Sequence, residues 1–244
     1  MRYRKIISFC LFGDNLLYLQ GALENIRLAK DLYPEWETVF YVSHTLDQSF
    51  LRKIASRSHE VNIIEDSFSS ERERRICAMY WRLFALEKTD AAHLIFRDCD
   101  SRLSCRERAA VDEWLASGKD FHLMYDHPFH NVPIMGGMWG YQGTPLPGIR
   151  ASIEQFLALR KPYLEYNDCC DQNFLQNYFE HQISNSAIYV AHGEPQVCQF
   201  QVAHGRCLQP FPPSSQEFMT WQSAPSFVGQ SIQVPGGRPK ENKI

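Results

Sequence analysis

Two acids, Asp98 and Asp100, stand one residue apart at the end of the apolar run Leu94-Ile95-Phe96. Side chains two apart on an extended chain point to the same side. The pair therefore brings like charges together unless a cation lies between them, and a hard divalent cation with its preference for oxygen ligands supplies that charge. A short apolar run bounded by polar residues reads as a buried strand. Ligands of open α/β sheets bind at the carboxyl ends of such strands. The chemistry suggested is a metal site that holds a diphosphate. The competing reading is a polar turn in which Asp98 pairs with Arg97 or Arg102, and for two acids in a loop this is the commoner outcome.

Three further places carry groups of interest. Arg82 lies inside Tyr80-Trp81-Arg82, beside an apolar stripe, and needs a partner: a phosphate or one of the acids near Asp98 would serve. Trp81 by itself reads as core packing. Ile134-Met135-Gly136-Gly137-Met138-Trp139-Gly140 is glycine-rich, which permits close backbone approach by a ligand but lacks the spacing of a phosphate loop or a dinucleotide fingerprint. Asp171 opens a helix within Asp168-Cys169-Cys170-Asp171-Gln172-Asn173, where an acid is often only a capping group.

The elements that must position these groups alternate. Lys5–Phe12 reads as a first strand, followed by a Gly13-Asp14 turn and a helix capped by Asp14 or Asn15, with Leu16, Leu19, Leu23 and Ile26 at helical spacing and Pro34 beyond its end. Thr38–Val42 is a second strand, Asp47 caps a short helix carrying Leu51 and Ile54, and Val61–Ile64 is a third strand. The mixed charges of Ser69–Arg75 read as a solvated helix face leading into a helix over Ile76–Lys88, with Ile76, Met79, Leu83 and Leu86 on one side. After the acids, Ser104 and Glu107 have capping-box spacing, so a helix with Ala110, Val111, Trp114 and Leu115 begins there. Phe121–Tyr125 is a strand ending in Asp126, His127 and His130. Ile149–Arg160 is a helix, Ser186–Ala191 a late strand ending at His192-Gly193, and the chain beyond Gln209 is proline-rich. This order predicts an α/β fold, a mostly parallel central sheet with helices on both faces. It reads as a single domain over residues 1–234, with 235–244 a disordered tail.

Composition narrows the function. The chain has 244 residues, 44% hydrophobic and 22% charged, with a net charge of −3. That is enough for a substantial core, and it gives no case for a nucleic-acid binder, which would carry a basic face. No apolar run approaches the roughly 20 residues of a membrane span. Arg2, Arg4 and Lys5 precede an apolar stretch, yet it stops at Gly13-Asp14 without a cleavage site and reads as the first strand. The 8 cysteines include no C-x-x-C pair and suit a reducing, cytoplasmic setting.

With these pieces placed, the chain resembles a nucleotide-sugar-dependent glycosyltransferase of the GT-A fold, and more closely a bacterial group marked by an ordered set of motifs. They are W-R at Trp81-Arg82, R-D-x-D-S-R at Arg97–Arg102, R-E-x-x-A-V-x-E-W at Arg106–Trp114, H-x-M-x-D-H-P at His122–Pro128, G-G-M-W-G at Gly136–Gly140, D-Q-x-F-L at Asp171–Leu175 and F-V-G at Phe227–Gly229. Tyr125 stands where an arginine is common in that group, and Gly193 replaces the acid that follows the late histidine. The resemblance implies that Phe9–Asp14, with Phe12 and Gly13, helps hold the base and ribose. It implies that Asp98 contacts ribose or metal, and that Asp100 binds Mn2+ or Mg2+ directly. Arg82, Arg97 and Arg102 would support the diphosphate charge or orient the acids. Gly136 and Gly137 would form a backbone wall beside the sugar. Asp171 would be the carboxylate beside the reacting carbon: a base in an inverting enzyme, a sugar-binding or charge-stabilising group in a retaining one. His192 would be a late metal ligand, with His204 its rival.

The implied partners are a nucleotide-sugar donor and a glycan or lipid-linked acceptor. No nucleic acid and no membrane span are expected, and peripheral membrane association is compatible with the sequence. Two other classes compete: a different metal-dependent phosphate-active enzyme, such as a nucleotidyltransferase or nucleotide-sugar hydrolase, and a non-catalytic carbohydrate- or nucleotide-binding module. The intact D-x-D and Asp171 argue against the module. The missing lysine-bearing phosphate loop argues against many nucleotidyltransferases.

Overall fold

The computed structural model describes residues 3–126, 130, 132–160, 170–190, 208–210, 228–229 and 231. His192, His204 and the tail 235–244 lie outside the described residues. The first half alternates strand and helix: β1 (Arg4–Leu11), α1 (Leu16–Leu32), β2 (Glu37–Ser43), α2 (Gln48–Ala55), β3 (Glu60–Ile64) and α3 (Glu71–Ala78). A 3-10 helix at Trp81–Glu87 leads to β4 (Ala91–Arg97), α4 (Cys105–Ser117), β5 (Phe121–Tyr125) and β6 (Met138–Gln142). Then come α5 (Ile149–Arg160), α6 (Asp171–Phe179), β7 (Ser186–Val190) and β8 (Leu208–Pro210).

The strands form one sheet in the order β3-β2-β1-β4-β6-β5-β7-β8. It is mostly parallel, as the alternation predicts. Among the described strands β6 runs against both of its neighbours, β4 and β5. Its register is marked by Phe96 opposite Trp139, whose rings stack at 4.2 Å; such an aromatic pair contributes about 0.5–1.5 kcal/mol beyond its burial.

Strand residues alternate between two cores. Leu94 and Phe96 face the 3-10 helix, α5 and α6, whereas Ile95 faces α1 and α4. Helices thus cover both faces, which is why neither face of the central strands is polar. Asn15 caps α1 by accepting from the Leu17 N–H at 3.0 Å. Asp47 does the same for α2, and Ser104 accepts from the Glu107 N–H at 3.3 Å to start α4.

Two expectations need correction. Leu16 is not on the buried stripe of α1; it is 39% exposed, and the stripe runs instead through Leu17, Leu19, Ala22, Asn25 and Ile26. The helix expected over Ile76–Lys88 is broken: α3 ends at Ala78 and the chain tightens into the 3-10 helix, with Leu83 N–H donating to the Tyr80 carbonyl at 2.9 Å. Trp81, Arg82, Leu83, Ala85 and Leu86 are all buried there. A segment covered on almost every side has no single apolar stripe to hold it to the 3.6-residue period.

Candidate active site

The site lies at the carboxyl ends of β1 and β4. Because β6 runs against β4, with Met138 opposite Arg97, the residues just before β6 must abut those just after β4. Gly136 and Gly137 therefore meet Asp98. A Cβ on Gly137 would fall 2.0 Å from Asp98 Oδ2, and one on Gly136 would fall 2.5 Å from Asp171 Oδ2 and 2.7 Å from Arg82 Nη2. Only glycine lets the backbone sit this close to two carboxylates and a guanidinium.

Arg82 joins the acids. Its Nη1 donates to Asp98 Oδ1 and its Nη2 to Asp171 Oδ2. Arg82 and Asp171 are each 3% exposed, whereas the Asp98 side chain is 43% exposed. Burial works against the Arg82 charge, but Asp98 and Asp171 outweigh it and hold the guanidinium well above its usual range. Ser8 anchors the arginine from β1 by donating to its carbonyl at 2.7 Å, and the Tyr80 hydroxyl donates to the Cys170 carbonyl at 3.0 Å, which seats the start of α6. No side-chain bond caps the start of α6; Asp171, its first residue, accepts from Arg82 instead. Beside them, burial pushes the Cys10 thiol up to about 12, with Arg82 pulling it down and the two acids pushing it further up.

The loop after β4 is fixed by a residue that pattern reading overlooked. Asn25 of α1 donates to the Ser101 carbonyl at 2.9 Å and to the Asp98 carbonyl at 3.4 Å, and accepts from the Leu103 N–H at 3.0 Å. Gly21, one turn earlier, lets α1 touch the loop, since a Cβ there would be 1.8 Å from the Cys99 carbonyl oxygen. The signal was an asparagine within an apolar helical stripe, a position that only a backbone-pairing role explains.

The chain bends at residues 99–101, so extended-strand parity ends at Asp98. Asp100, 3% exposed, accepts from the Ser231 hydroxyl. Both charges bear on Tyr18, whose phenol burial and these acids push above its ordinary range. Phe12 lies edge-on to Trp81 at 6.2 Å, and Gly13 turns the chain at φ +72.

Two arginines expected at the donor are engaged elsewhere. Arg97 precedes Asp98 on the strand and so points to the opposite face. There its Nε donates to Glu107 at 2.9 Å and its Nη1 to the Phe96 and Trp139 carbonyls at 2.8 and 3.0 Å. Glu107, expected to close a capping box, is likewise turned to Arg97 and to the Tyr33 hydroxyl at 3.2 Å. Arg102 folds back on its own loop, donating to the carbonyls of Cys99, Asp100 and Ser101 at 3.3, 3.4 and 3.0 Å. Both arginines hold the frame. Tyr125 also braces it, with its hydroxyl on the Pro133 carbonyl ahead of the glycine pair.

Among the described residues no three His, Cys, Asp or Glu side chains are grouped to hold a metal ion. Asp98 and Asp100 are hard oxygen donors, which fits Mg2+ or Mn2+; such an ion is held by one or two carboxylates and completes its shell with phosphate oxygens and water. The cysteines at positions 10, 77, 99, 105 and 170 are free thiols. No helix among the described residues is long and apolar enough to cross a membrane.

No family model matches the sequence, and no curated protein matches it. Among solved structures, the chain is similar to a glycosyltransferase involved in glycosylation of the major capsid of PBCV-1, at 13% identity and a TM-score of 0.44, covering 76% of this chain and 80% of that one. It is also similar to 4-diphosphocytidyl-2C-methyl-D-erythritol synthase from Anaerococcus prevotii, at 10% identity, TM-score 0.42, covering 83% and 99%. A third is the mannosyltransferase Ktr4p from S. cerevisiae in complex with GDP, at 12% identity, TM-score 0.29, covering 73% and 53%.

Proposed function

We propose that the chain is a metal-dependent glycosyltransferase that moves a sugar from a nucleotide-sugar donor to a hydroxyl of a glycan or lipid-linked acceptor. The supporting observation is the cluster at the strand ends: Asp98 and Asp171 bridged by Arg82 over the Gly136-Gly137 backbone. Asp100, with Asp98, is the residue to hold Mn2+ or Mg2+, and the ion supplies neutralising charge to a departing diphosphate. Phe12 and Gly13 border the side where a base and ribose lie. Arg82 orients Asp98 and Asp171 and supplies their counter-charge. The glycine pair keeps side-chain bulk away from the carboxylates. Asp171 places a negative charge beside the reacting carbon and takes the acceptor proton. His192 is retained as a candidate late ligand.

The test pairs a thermal-shift screen of UDP-, GDP-, CMP- and dTDP-sugars, with Mn2+ and with EDTA, with product analysis. One donor class should stabilise the chain only with Mn2+; at 100-fold excess over its dissociation constant, the gain is about 2.7 kcal/mol. Release of the nucleoside phosphate should quicken when an acceptor is added. Pyrophosphate release would instead favour a nucleotidyltransferase, and acceptor-independent cleavage a hydrolase.

A further inference from the structure

The far end of the described chain returns to the D-x-D loop. The Val228 N–H donates to Asp126 Oδ2 at 2.8 Å, and the Ser231 hydroxyl donates to Asp100 Oδ2. Asp126 is 6% exposed and is held by Arg106 through Nε at 2.9 Å and Nη2 at 2.7 Å. Its own N–H donates to His130 Nδ1 at 3.1 Å. Between the two contacts Gly229 turns the chain at φ +85, where a Cβ would lie 2.4 Å from Met138 Sδ. Glycine is required there twice over, by dihedral and by space. Val228 is therefore seated by a two-pronged, charge-assisted grip on its partner Asp126, Gly229 is pressed against the first residue of β6, and Ser231 puts its hydroxyl on Asp100. That hydroxyl takes one lone pair of the carboxylate and fixes its plane.

We propose that Ser231 is a positioning residue that orients Asp100 as a metal ligand, and that Arg106 and Asp126 act through it by fixing where Ser231 stands. This inference rests on the reading of Asp100 as a metal ligand given above. Partners that hold a ligating carboxylate change metal affinity by roughly 10- to 100-fold when removed. The three residues come from α4, the end of β5 and the C-terminal segment, so Arg106 should influence a metal it does not touch.

The experiment is calorimetric titration of Mn2+ into the full chain with UDP and, in parallel, GDP present, alongside melting temperatures. Wild type binds Mn2+. Ser231→Ala should weaken that binding by about 10- to 100-fold with little change in melting temperature, and Ser231→Thr, which keeps the hydroxyl, should restore it. Arg106→Gln should weaken Mn2+ binding in the same direction, and the double variant should be little weaker than Ser231→Ala alone, because both act through one contact. Wild-type Mn2+ affinity in Ser231→Ala overturns the positioning role and leaves the metal site standing. A wild-type chain that binds no Mn2+ with either nucleotide overturns the metal-site reading and this inference with it.

Discussion

Arg82 and Asp171 form a buried ion pair across 89 residues of sequence, and the same guanidinium reaches Asp98 16 residues away. One cation thus serves two carboxylates, one closed off and one partly open to solvent.

Removing that cation should cost both stability and function. Arg82→Gln leaves a buried Asp171 without its counter-charge, and breaking a buried pair from one side costs roughly 3–5 kcal/mol. Denaturant unfolding should show a loss of that size. A variant as stable as wild type would mean that the bridge is not what holds the two acids.

Asp171→Asn keeps the shape and most of the polarity of the side chain but loses the charge. If Asp171 acts beside the reacting carbon, turnover should fall by roughly 10²- to 10⁴-fold, while donor affinity changes far less. The check is kcat and donor affinity measured beside the melting temperature; near-normal kcat would leave Asp171 a structural partner of Arg82.

The glycine pair offers a contrast between crowding and strain. Gly137→Ala drives a methyl group into Asp98, so Mn2+-dependent nucleotide binding should drop at least tenfold while the chain still folds. Gly118→Ala, at the end of α4 with φ +67 and open space around it, should cost only about 1–2 kcal/mol of stability and leave binding unchanged. Equal binding losses in the two variants would show a global rather than a local effect.

His122 gives a pH prediction. Its ring is fully buried against Trp114, with centroids 5.3 Å apart, and neither ring nitrogen has a hydrogen-bond partner among the described residues. Burial first, then the Arg97 charge, hold the imidazole well below its ordinary value. The unfolded chain takes up a proton below about pH 6.5 while the folded chain declines it. Stability is therefore complete above that pH and is lost, at up to about 1.4 kcal/mol per pH unit, as pH falls toward the folded value. His122→Phe should flatten this decline between about pH 7.5 and 5.5, about one unit either side of the free value, without lowering stability at neutral pH. An unchanged slope would assign the decline to other groups.

The sequence by itself determined what is local. Most strand and helix periods, the caps at Asp47 and Ser104, the narrowing of the first cap to Asp14 or Asn15, and the placement of Asp98 at a strand end follow from interactions within a few residues. Parity along β4 even contained the separation of Arg97 from Asp98, since neighbours on a strand face opposite sides. The tertiary structure decided which charges meet. Arg82 had two kinds of partner open to it until the 3-10 helix packed beneath β1 and β4, and Asn25 gained its role only when the loop closed over it. The glycine pair gained its meaning when β6 inserted against β4 in the reverse direction and carried Gly137 onto Asp98. Ser231 reaches Asp100 over 131 residues. Such contacts are set by strand order and direction, which arise from the packing of whole elements and leave no periodic trace along the chain.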